Sequence, residues 1–496
     1  METASSEVLK HQDHTGSNAR SLGVYGAIFV AVALFSSLRD QSAPFGALSL
    51  LPVCFTITSA ILTRRALEPL LGGALVGILL IDPANAFTQL GNVSTTAFKN
   101  ETVIWIILVC GLLSGLIVML ERGGSVLSFG DFLEGRIKSR RSAMLTTSCL
   151  GILVFIDDYL NALAVSSSMK STTDRFGVSR EKLSFIVDST AVPVCILIPI
   201  STWAVFFTGL LEENQLAASG EGIWLYAESI PLMFYGWLAL GLVWLVGMGY
   251  FKDIGGMKHA ELRALAGQPI PDNAPTEGLD TSGVIARSST TMGLLNFFLP
   301  MTVLVAASVY YDVDLLLGSI VACVFTMVFY MAQRLMTFSQ LMEAALDGFK
   351  IMLLPFAIII AGYMLKDVND GLEMTPFLME AVLPYLSKEL FAAVIFIIMS
   401  IIVFATSSAW GMFVIALPII VPIAQAVDAP IPLVIGAVMS ASAFGCHACF
   451  YGVSTLLSAQ GSDCTTMQHA LTQLPYALLA GAISIALFIA AGYAYP

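Results

Sequence analysis

Long apolar stretches recur along the whole chain and are separated by short polar segments. A bilayer core of about 30 Å needs roughly 20 helical residues to cross it. The pattern therefore predicts an all-α polytopic membrane protein with about 11 transmembrane helices. They are expected at residues 22–38, 45–63, 66–82, 102–120, 183–211, 228–250, 291–311, 314–333, 343–366, 430–460 and 472–494.

Two further apolar segments are interrupted by polar residues. Residues 143–174 begin as an apolar helix and then meet Asp157 and Asp158. Residues 390–427 begin in the same way and meet the polar triplet 406–408. Irregular backbone at membrane depth occurs where it is buried in protein or lines a cavity. We therefore predict two re-entrant hairpins.

The distribution of charge between the apolar segments predicts their orientation. Cytoplasmic loops are enriched in Lys and Arg. Residues 121–142, 170–182 and 251–290 contain five, four and four Lys and Arg, whereas 212–228 contains none and 367–389 is acidic. The first hairpin should therefore enter from the cytoplasm and return to it, and the second should do the same from the opposite face. The N-terminus is expected in the cytoplasm.

This orientation predicts two inverted repeats, each with three spans, a hairpin and two spans. A polar, proline-containing segment lies between them and is expected to be a cytoplasmic linker. The predicted divisions are a cytoplasmic tail at 1–21, an extra N-terminal helix at 22–44, repeat 1 at 45–250, the linker at 251–290 and repeat 2 at 291–496.

Composition supports a membrane protein and excludes several other classes. The chain is 57% hydrophobic and 12% charged, with a mean hydropathy of +0.83, whereas soluble domains carry roughly 25% charged residues. Cys446, His447 and Cys449 resemble half of a metal site, but no second pair completes it. No nucleic-acid-binding motif is present, and the net charge of −12 identifies no partner.

Three carboxylates lie inside apolar segments: Asp157, Asp158 and Asp188. A charge at membrane depth costs about 2.5–3.5 kcal/mol and usually faces a wet cavity or pathway. Asn161 follows the first pair by three and four residues and would share a helical face with it. These oxygens predict a binding site for a small cation. The alternatives are a helix cap for the pair and an ordinary satisfied acid for Asp188.

The corresponding region of the second half is neutral and rich in hydroxyl groups. Each hydroxyl could instead bond across packed helices, but together they predict a site for a polar solute. His447, interpreted as the only histidine within a span, could relay a proton or be a hydrogen-bonded core residue. The predicted substrate-binding residues are Thr406, Ser407, Ser408, Trp410, Ser442 and His447.

The stretch from Ile156 to Trp203, with its core IDDYLNALAVSSSMK, closely resembles the NhaC-type Na+/H+ antiporter family. The stretches FATSSAWGMFVIALPIIVPIA from Phe404 and HALTQLPYALL from His469 also resemble it. The resemblance implies an ion-transporter-superfamily fold, commonly a homodimer, with elevator-like alternating access. It carries over Asp157, Asp158, Asn161, Asp188, Ser189 and Thr190 as cation or substrate groups.

One departure from the family pattern changes the functional expectation. The family shows an acidic FGDH…SDTT pattern in its second half, whereas this chain reads FGCHACFYGVSTLL from Phe444. Cys446 and Val453 stand where acids are expected. Fewer carboxylates weaken a pure cation antiport and fit members that move amino acids or carboxylates with Na+.

We expect a Na+-linked secondary active transporter in a bacterial inner membrane, with Na+ as coupling ion and no other cofactor. Antiport of Na+ for H+ and symport of Na+ with an amino acid or another small organic solute both remain open. An intramembrane hydrolase is disfavoured because no protease-like pair of acids or Ser–His motif is found, so no enzymatic activity is expected. A channel is disfavoured by the inverted hairpins.

Overall fold

The computed structural model describes residues 26–39, 44–63, 67–125, 137–271, 290–311, 314–374, 376–377, 387–406, 409–450 and 452–495. The predicted cytoplasmic tail at 1–21 lies outside them. Within the described residues the chain is helical, without strands, as expected for an all-α membrane protein. Short 3-10 helices at Gly46–Leu50 and Ile230–Leu232 accompany the α-helices.

The α-helices are numbered in chain order. They are α1 (Gly26–Leu38), α2 (Leu51–Thr63), α3 (Leu67–Ile81), α4 (Ala86–Lys99), α5 (Glu101–Arg122), α6 (Arg140–Leu153), α7 (Asp158–Arg175), α8 (Arg180–Thr190), α9 (Val192–Leu197), α10 (Thr202–Glu213), α11 (Gly222–Ser229), α12 (Phe234–Met248), α13 (Gly255–Leu265), α14 (Thr290–Tyr310), α15 (Leu315–Ala332), α16 (Phe338–Ile351), α17 (Leu353–Gly371), α18 (Lys388–Thr406), α19 (Ala409–Ala426), α20 (Ile431–Ala448), α21 (Val453–Gly461) and α22 (Thr466–Ala494).

Seven helical segments of the described chain are long and apolar enough to cross a membrane, or nine if two bent pairs each count as one span. The bent pairs are α11–α12, at 51°, and α16–α17, at 41°. This count includes α19, which belongs to the predicted second hairpin, and leaves out three N-terminal apolar segments that the estimate of about 11 spans included. These form the shorter helices Gly26–Leu38, Gly46–Ala60 and Leu67–Ile81.

Helices α6 and α7 form the first hairpin. A capping box between Ser139 and Ser142 starts α6, and α6 ends at Val154, where the backbone leaves the helical region. Four residues, 154–157, connect the helices, which pack against each other. The turn therefore places Asp157 and Asp158 at the tip of the hairpin.

Helices α18 and α19 form the second hairpin and also pack against each other. The two residues that connect them, Ser407 and Ser408, lie outside the described residues. Helix α19 contains Pro418 and Pro422, whose missing N–H groups remove backbone hydrogen bonds. On the α19 side of this tip, the first helical turn runs from Ala409 to Met412. It is buried except for Trp410, which is half-buried.

The span predicted at 183–211 is interrupted. Helix α8 ends at Thr190, Ala191 adopts φ −87° and ψ −95°, and α9 begins with Pro193 in its first turn. Residues 198–201 separate α9 from α10, which Ser201 caps by accepting a hydrogen bond from the Ala204 N–H. Pro193 and Pro199 interrupt this span in the sequence, and such a break exposes backbone groups in the protein interior.

The span predicted as continuous at 430–460 is also broken, which corrects that prediction. Helix α20 ends at Ala448, and both Cys449 and Gly452 have extended backbones before α21 begins. No proline marks this break in the sequence. The extended backbone at these two positions ends one helix and precedes the next.

Each hairpin packs against an interrupted span from the other half of the chain. Helix α7 packs against α21, and α19 packs against α10. Helix α8 also packs against α21 and α22. These contacts bring the hairpin tips and the helix breaks into one interior region.

Buried ion pairs hold the start of α8. Arg180 pairs with Asp174 at 2.7 Å and with Asp463 of the second half at 3.1 Å. Lys182, with a side chain 1% exposed, pairs with Asp253. Glu181 pairs with Arg263 of α13 at 2.7 Å, so the first part of the predicted linker is a helix packed on the membrane core.

Candidate functional site

The two tip carboxylates are nearly fully buried and tied to the start of α10. Asp157 and Asp158 are 5% and 3% exposed. Asp157 accepts hydrogen bonds from the Tyr159 N–H at 2.9 Å and the Thr202 hydroxyl at 3.1 Å. The Trp203 indole N–H donates to Asp158 Oδ1 at 2.8 Å. Adjacent buried carboxylates repel each other, which favours uptake of a cation or a proton.

Asn161 connects the first hairpin to the break after α8. Its amide nitrogen lies 2.6 Å from the carbonyl oxygen of Gly151, 3.1 Å from that of Val154 and 2.9 Å from that of Thr190. The side chain is fully buried, and its Oδ1 atom has no hydrogen-bond partner among the described residues. Asn161 thus satisfies carbonyls at two helix ends and leaves an oxygen available to a cation.

Asp188 is the centre of a second polar cluster. Its Oδ2 atom accepts hydrogen bonds from Gln473 Nε2 at 2.7 Å and Thr455 Oγ1 at 3.4 Å, and lies 3.2 Å from His469 Nε2. Asp188, His469 and Gln473 are fully buried. The Oδ1 atom of Asp188 and Oε1 of Gln473 have no partner in the described part of the chain. Two acceptor oxygens here require a proton, a cation or water.

Ser189 and Thr190 occupy different surroundings. The Ser189 hydroxyl lies 3.0 Å from His447 Nε2, and the Tyr235 hydroxyl lies 2.7 Å from Nδ1 of the same ring. The Thr190 hydroxyl instead bonds the carbonyls of its own helix, Ile186 and Val187. Ser189 therefore contacts a residue of the second half of the chain. Thr190 instead contacts Asn161, through its backbone carbonyl.

The predicted solute-binding residues are only partly brought together. Trp410, at the second tip, packs edge-on against Trp203, with ring centroids 6.0 Å apart, and against Phe206. Trp203 therefore connects the two tips, since it also bonds Asp158. The buried Thr406 hydroxyl donates to the Ile402 carbonyl at 2.9 Å. The buried Ser442 hydroxyl has no hydrogen-bond partner in the described structure, and Ser407 and Ser408 lie outside that structure.

Sequence reasoning missed five residues that contact the predicted site: Thr202, Trp203, Tyr235, His469 and Gln473. His469 corrects the interpretation of His447 as the only histidine within a span, since α22 begins at Thr466 and not at 472. Thr465 and Gln468 form a capping box at this start. The T-x-x-Q signature was the available signal for it.

Among the described residues, no group of three or more His, Cys, Asp and Glu side chains is placed to hold a metal ion. The available ligands are instead mixed oxygens of carboxylate, carboxamide, hydroxyl and carbonyl groups. Hard cations prefer such oxygens, and carbonyls of interrupted helices bind Na+ in transporters. The arrangement is suited to binding a small hard cation without a resident metal centre.

Two solved structures are similar to this chain, and the first of them identifies the fold. The chain is similar to the YdaH transporter of Alcanivorax borkumensis, whose crystal structure has an unusual topology, with a TM-score of 0.53, 14% identity, and coverage of 83% of this chain and 90% of that one. MtrF of Neisseria gonorrhoeae, described as representing a class of antimetabolite efflux pumps, matches with a TM-score of 0.49, 13% identity, and coverage of 82% and 85%.

Sequence comparison identifies the family. An uncharacterised protein of Haemophilus influenzae strain Rd is 27% identical over 493 residues, covering 90% of this chain and 91% of that protein. Residues 194–493 match the Na+/H+ antiporter family. The matched region includes His447, His469 and Gln473, and begins after Asp157, Asp158 and Asp188. The chain is an integral membrane protein of the secondary transporter class, and it belongs to the Na+/H+ antiporter family.

Proposed function

We propose that the protein is a Na+-linked secondary active transporter whose cation binds at Asp157 and Asp158. The observation that carries the proposal is the adjacent pair of carboxylates, 5% and 3% exposed, at the first hairpin tip. No salt bridge of the described residues reaches Asp158. Two neighbouring buried charges are costly unless a cation compensates them. Membership of the Na+/H+ antiporter family supports Na+ as this cation.

Asn161 and Asp188 extend the proposed site. The partnerless oxygens of Asn161 and Asp188 are acceptors, and Asn161 also contacts the end of the helix that carries Asp188 through Thr190. The Asp188 cluster includes side chains from both halves of the chain. We therefore propose it as a further cation or proton position coupled to the hairpin tip.

Exchange of Na+ for H+ is the function that family membership favours. Symport of Na+ with an amino acid or another small organic solute is the second candidate. It is favoured by the neutral second half, in which Cys446 and Val453 replace the expected acids and Trp410 contacts Trp203 at the tips. We also propose a homodimer in the bacterial inner membrane, with a cytoplasmic N-terminus.

Flux measurements on proteoliposomes test these functions. An imposed Na+ gradient should move protons without added solute if the protein is an antiporter, and should drive labelled amino-acid uptake if it is a symporter. A panel of labelled amino acids with and without Na+ separates the two. Absence of any Na+-dependent flux would contradict the proposal.

Asp158→Asn tests the cation site directly. It removes one of the two charges and should abolish Na+-dependent flux, with the protein still inserted and folded. Asp428→Asn is a matched control because Asp428 is exposed and has a φ of +56°, a conformation that Asn tolerates. The control should transport normally. Full activity of Asp158→Asn would overturn the assignment.

A further inference from the structure

A cavity of about 590 Å³ lies between α5, α10, the loop before α11 and the start of α15. Its volume lies within the range of small-molecule pockets. It is next to the acidic segment 212–228, so the charge distribution places it at the predicted outer face. Its polar and aromatic lining includes Glu101, Trp105, Thr208, Glu212, Tyr311 and Asp314.

The cavity carries three carboxylates, from Glu101, Glu212 and Asp314, and the residues that line it in the described structure include no Lys or Arg. Two of these carboxyl groups also accept hydrogen bonds from the backbone. Glu212 Oε1 accepts from the Gly222 N–H at 3.1 Å, and Asp314 Oδ1 caps α15 through the Leu316 N–H at 2.8 Å. Accepting a backbone hydrogen bond leaves further lone pairs on each carboxyl group, and an acidic lining without a basic residue among the described residues favours cations over anions.

Two further features indicate an organic ligand. Trp105 and Tyr311 add aromatic rings to the lining, and such rings attract organic cations by cation–π contact. Thr208 is 2% exposed, lines the cavity and has a hydroxyl with no hydrogen-bond partner among the described residues. A buried hydroxyl without a partner costs free energy, which a hydrogen bond to a ligand would recover once the Thr208 side chain rotates its hydroxyl into the cavity.

Helix α10 connects this cavity to the hairpin tips. Trp203, which bonds Asp158, lies in its first turn, and Thr208 follows five residues later. At 1.5 Å rise per residue the two positions are about 8 Å apart along the helix axis. A solute beside Thr208 would therefore be about one and a half helical turns from Trp203, which contacts the proposed cation site.

We propose that this cavity binds a small organic cation, an ammonium- or guanidinium-bearing solute, before the solute reaches the hairpin tips. The role as a first binding position on the transport path rests on the proposed transport function, whereas the binding itself does not. The chemistry favours a cationic amine over a carboxylate as the organic solute of this transporter.

Saturation-transfer NMR on the purified protein in detergent tests the binding. Butylammonium, butanol and butyrate are probes of similar size that differ in charge. Butylammonium should bind, and the affinities of butanol and butyrate for the cavity should be lower at least on the order of tenfold. Equal binding of the three probes would overturn the proposal. Complete displacement of butylammonium by an equal concentration of Na+ would also overturn it, since the cavity would then collect inorganic cations.

The variant Glu101→Gln/Asp314→Asn should weaken butylammonium binding on the order of tenfold, while Asn at 314 can still cap α15. Glu221→Gln is the matched control, because Glu221 is an exposed acid on the same loop and does not line the cavity. It should bind as the parent does. Unchanged butylammonium binding in the double variant would place the probe elsewhere and overturn the assignment of the cavity.

Binding measured in Asp158→Asn separates this inference from the transport function. That variant should lose Na+-dependent flux and keep butylammonium binding in the cavity. Loss of butylammonium binding in Asp158→Asn would overturn the cavity as a separate site. Retained flux with intact binding would overturn the proposed cation site alone.

Discussion

Single residues determine how the buried carboxylates are satisfied. Asp157 and Asp158 were predictable because acids in an apolar segment are rare and costly. Trp203 was not, since an uncharged aromatic residue in an apolar helix is most often a packing residue. Its role depends on a contact between residues 45 positions apart, at 2.8 Å. Sequence spacing does not encode such a contact.

Trp203→Phe tests the indole hydrogen bond to Asp158. The ring would still pack near Trp410, but the N–H donor to the carboxylate would be lost. A hydrogen bond to a charged group contributes about 1.5–3 kcal/mol, so the Na+ concentration for half-maximal flux should change about tenfold or more. Trp224→Phe is the control, since Trp224 is 63% exposed. An unchanged Na+ dependence in Trp203→Phe would show that the bond does not affect the cation.

Gln473→Ala tests the Asp188 cluster. It removes the donor 2.7 Å from Asp188 Oδ2 and leaves a buried acceptor with fewer partners. The expected cost is about 1–3 kcal/mol, seen as a lower thermal unfolding midpoint in detergent. Gln460→Ala, at an exposed position on α21, should leave the midpoint nearly unchanged. Equal midpoints for both variants would contradict the structural importance of the cluster.

At the scale of elements, apolar length predicted most helices, and breaks were predicted where polar residues or prolines interrupt an apolar segment. Pro193 and Pro199 indicated the interruption after α8, whereas the break between α20 and α21 has no proline and was missed. Helix α4 was also missed, because residues 86–99 lie between two predicted spans and no element was predicted there. That segment is less apolar than the spans and forms an amphipathic helix, a pattern that span length does not detect.

Gly461→Ala tests the contact between the first hairpin and the second half. A Cβ at this position would lie 2.9 Å from Ser166 Cβ on α7, closer still to the Ser166 hydroxyl. Overpacking of this kind typically costs about 1–3 kcal/mol, so the unfolding midpoint and the flux should both fall. Gly91→Ala is the matched control, since a Cβ added there would meet no atom within 4 Å. It should be neutral or slightly stabilising.

At the scale of the whole molecule, the all-α membrane fold followed from hydropathy alone, while the arrangement of the halves required tertiary contacts. The inverted repeat remains a prediction from charge distribution. Some of the basic residues counted for it have other partners in the structure: Arg180 and Lys182 are buried in ion pairs. They support the orientation less than exposed loop residues do, because buried pairs also stabilise α8.

Thiol labelling of intact cells tests the orientation without using these residues. In a background with the exposed Cys54 and Cys149 replaced by serine, the other six cysteines are buried. Glu221→Cys and Lys258→Cys then each add one exposed thiol, on opposite predicted faces. A membrane-impermeant maleimide should label Glu221→Cys in intact cells and Lys258→Cys only after permeabilisation. The unmodified background gives the baseline. If Lys258→Cys were labelled in intact cells and Glu221→Cys only after permeabilisation, the 212–228 segment would face the cytoplasm. The acidic cavity beside that segment would then open to the cytoplasm and bind solute for export.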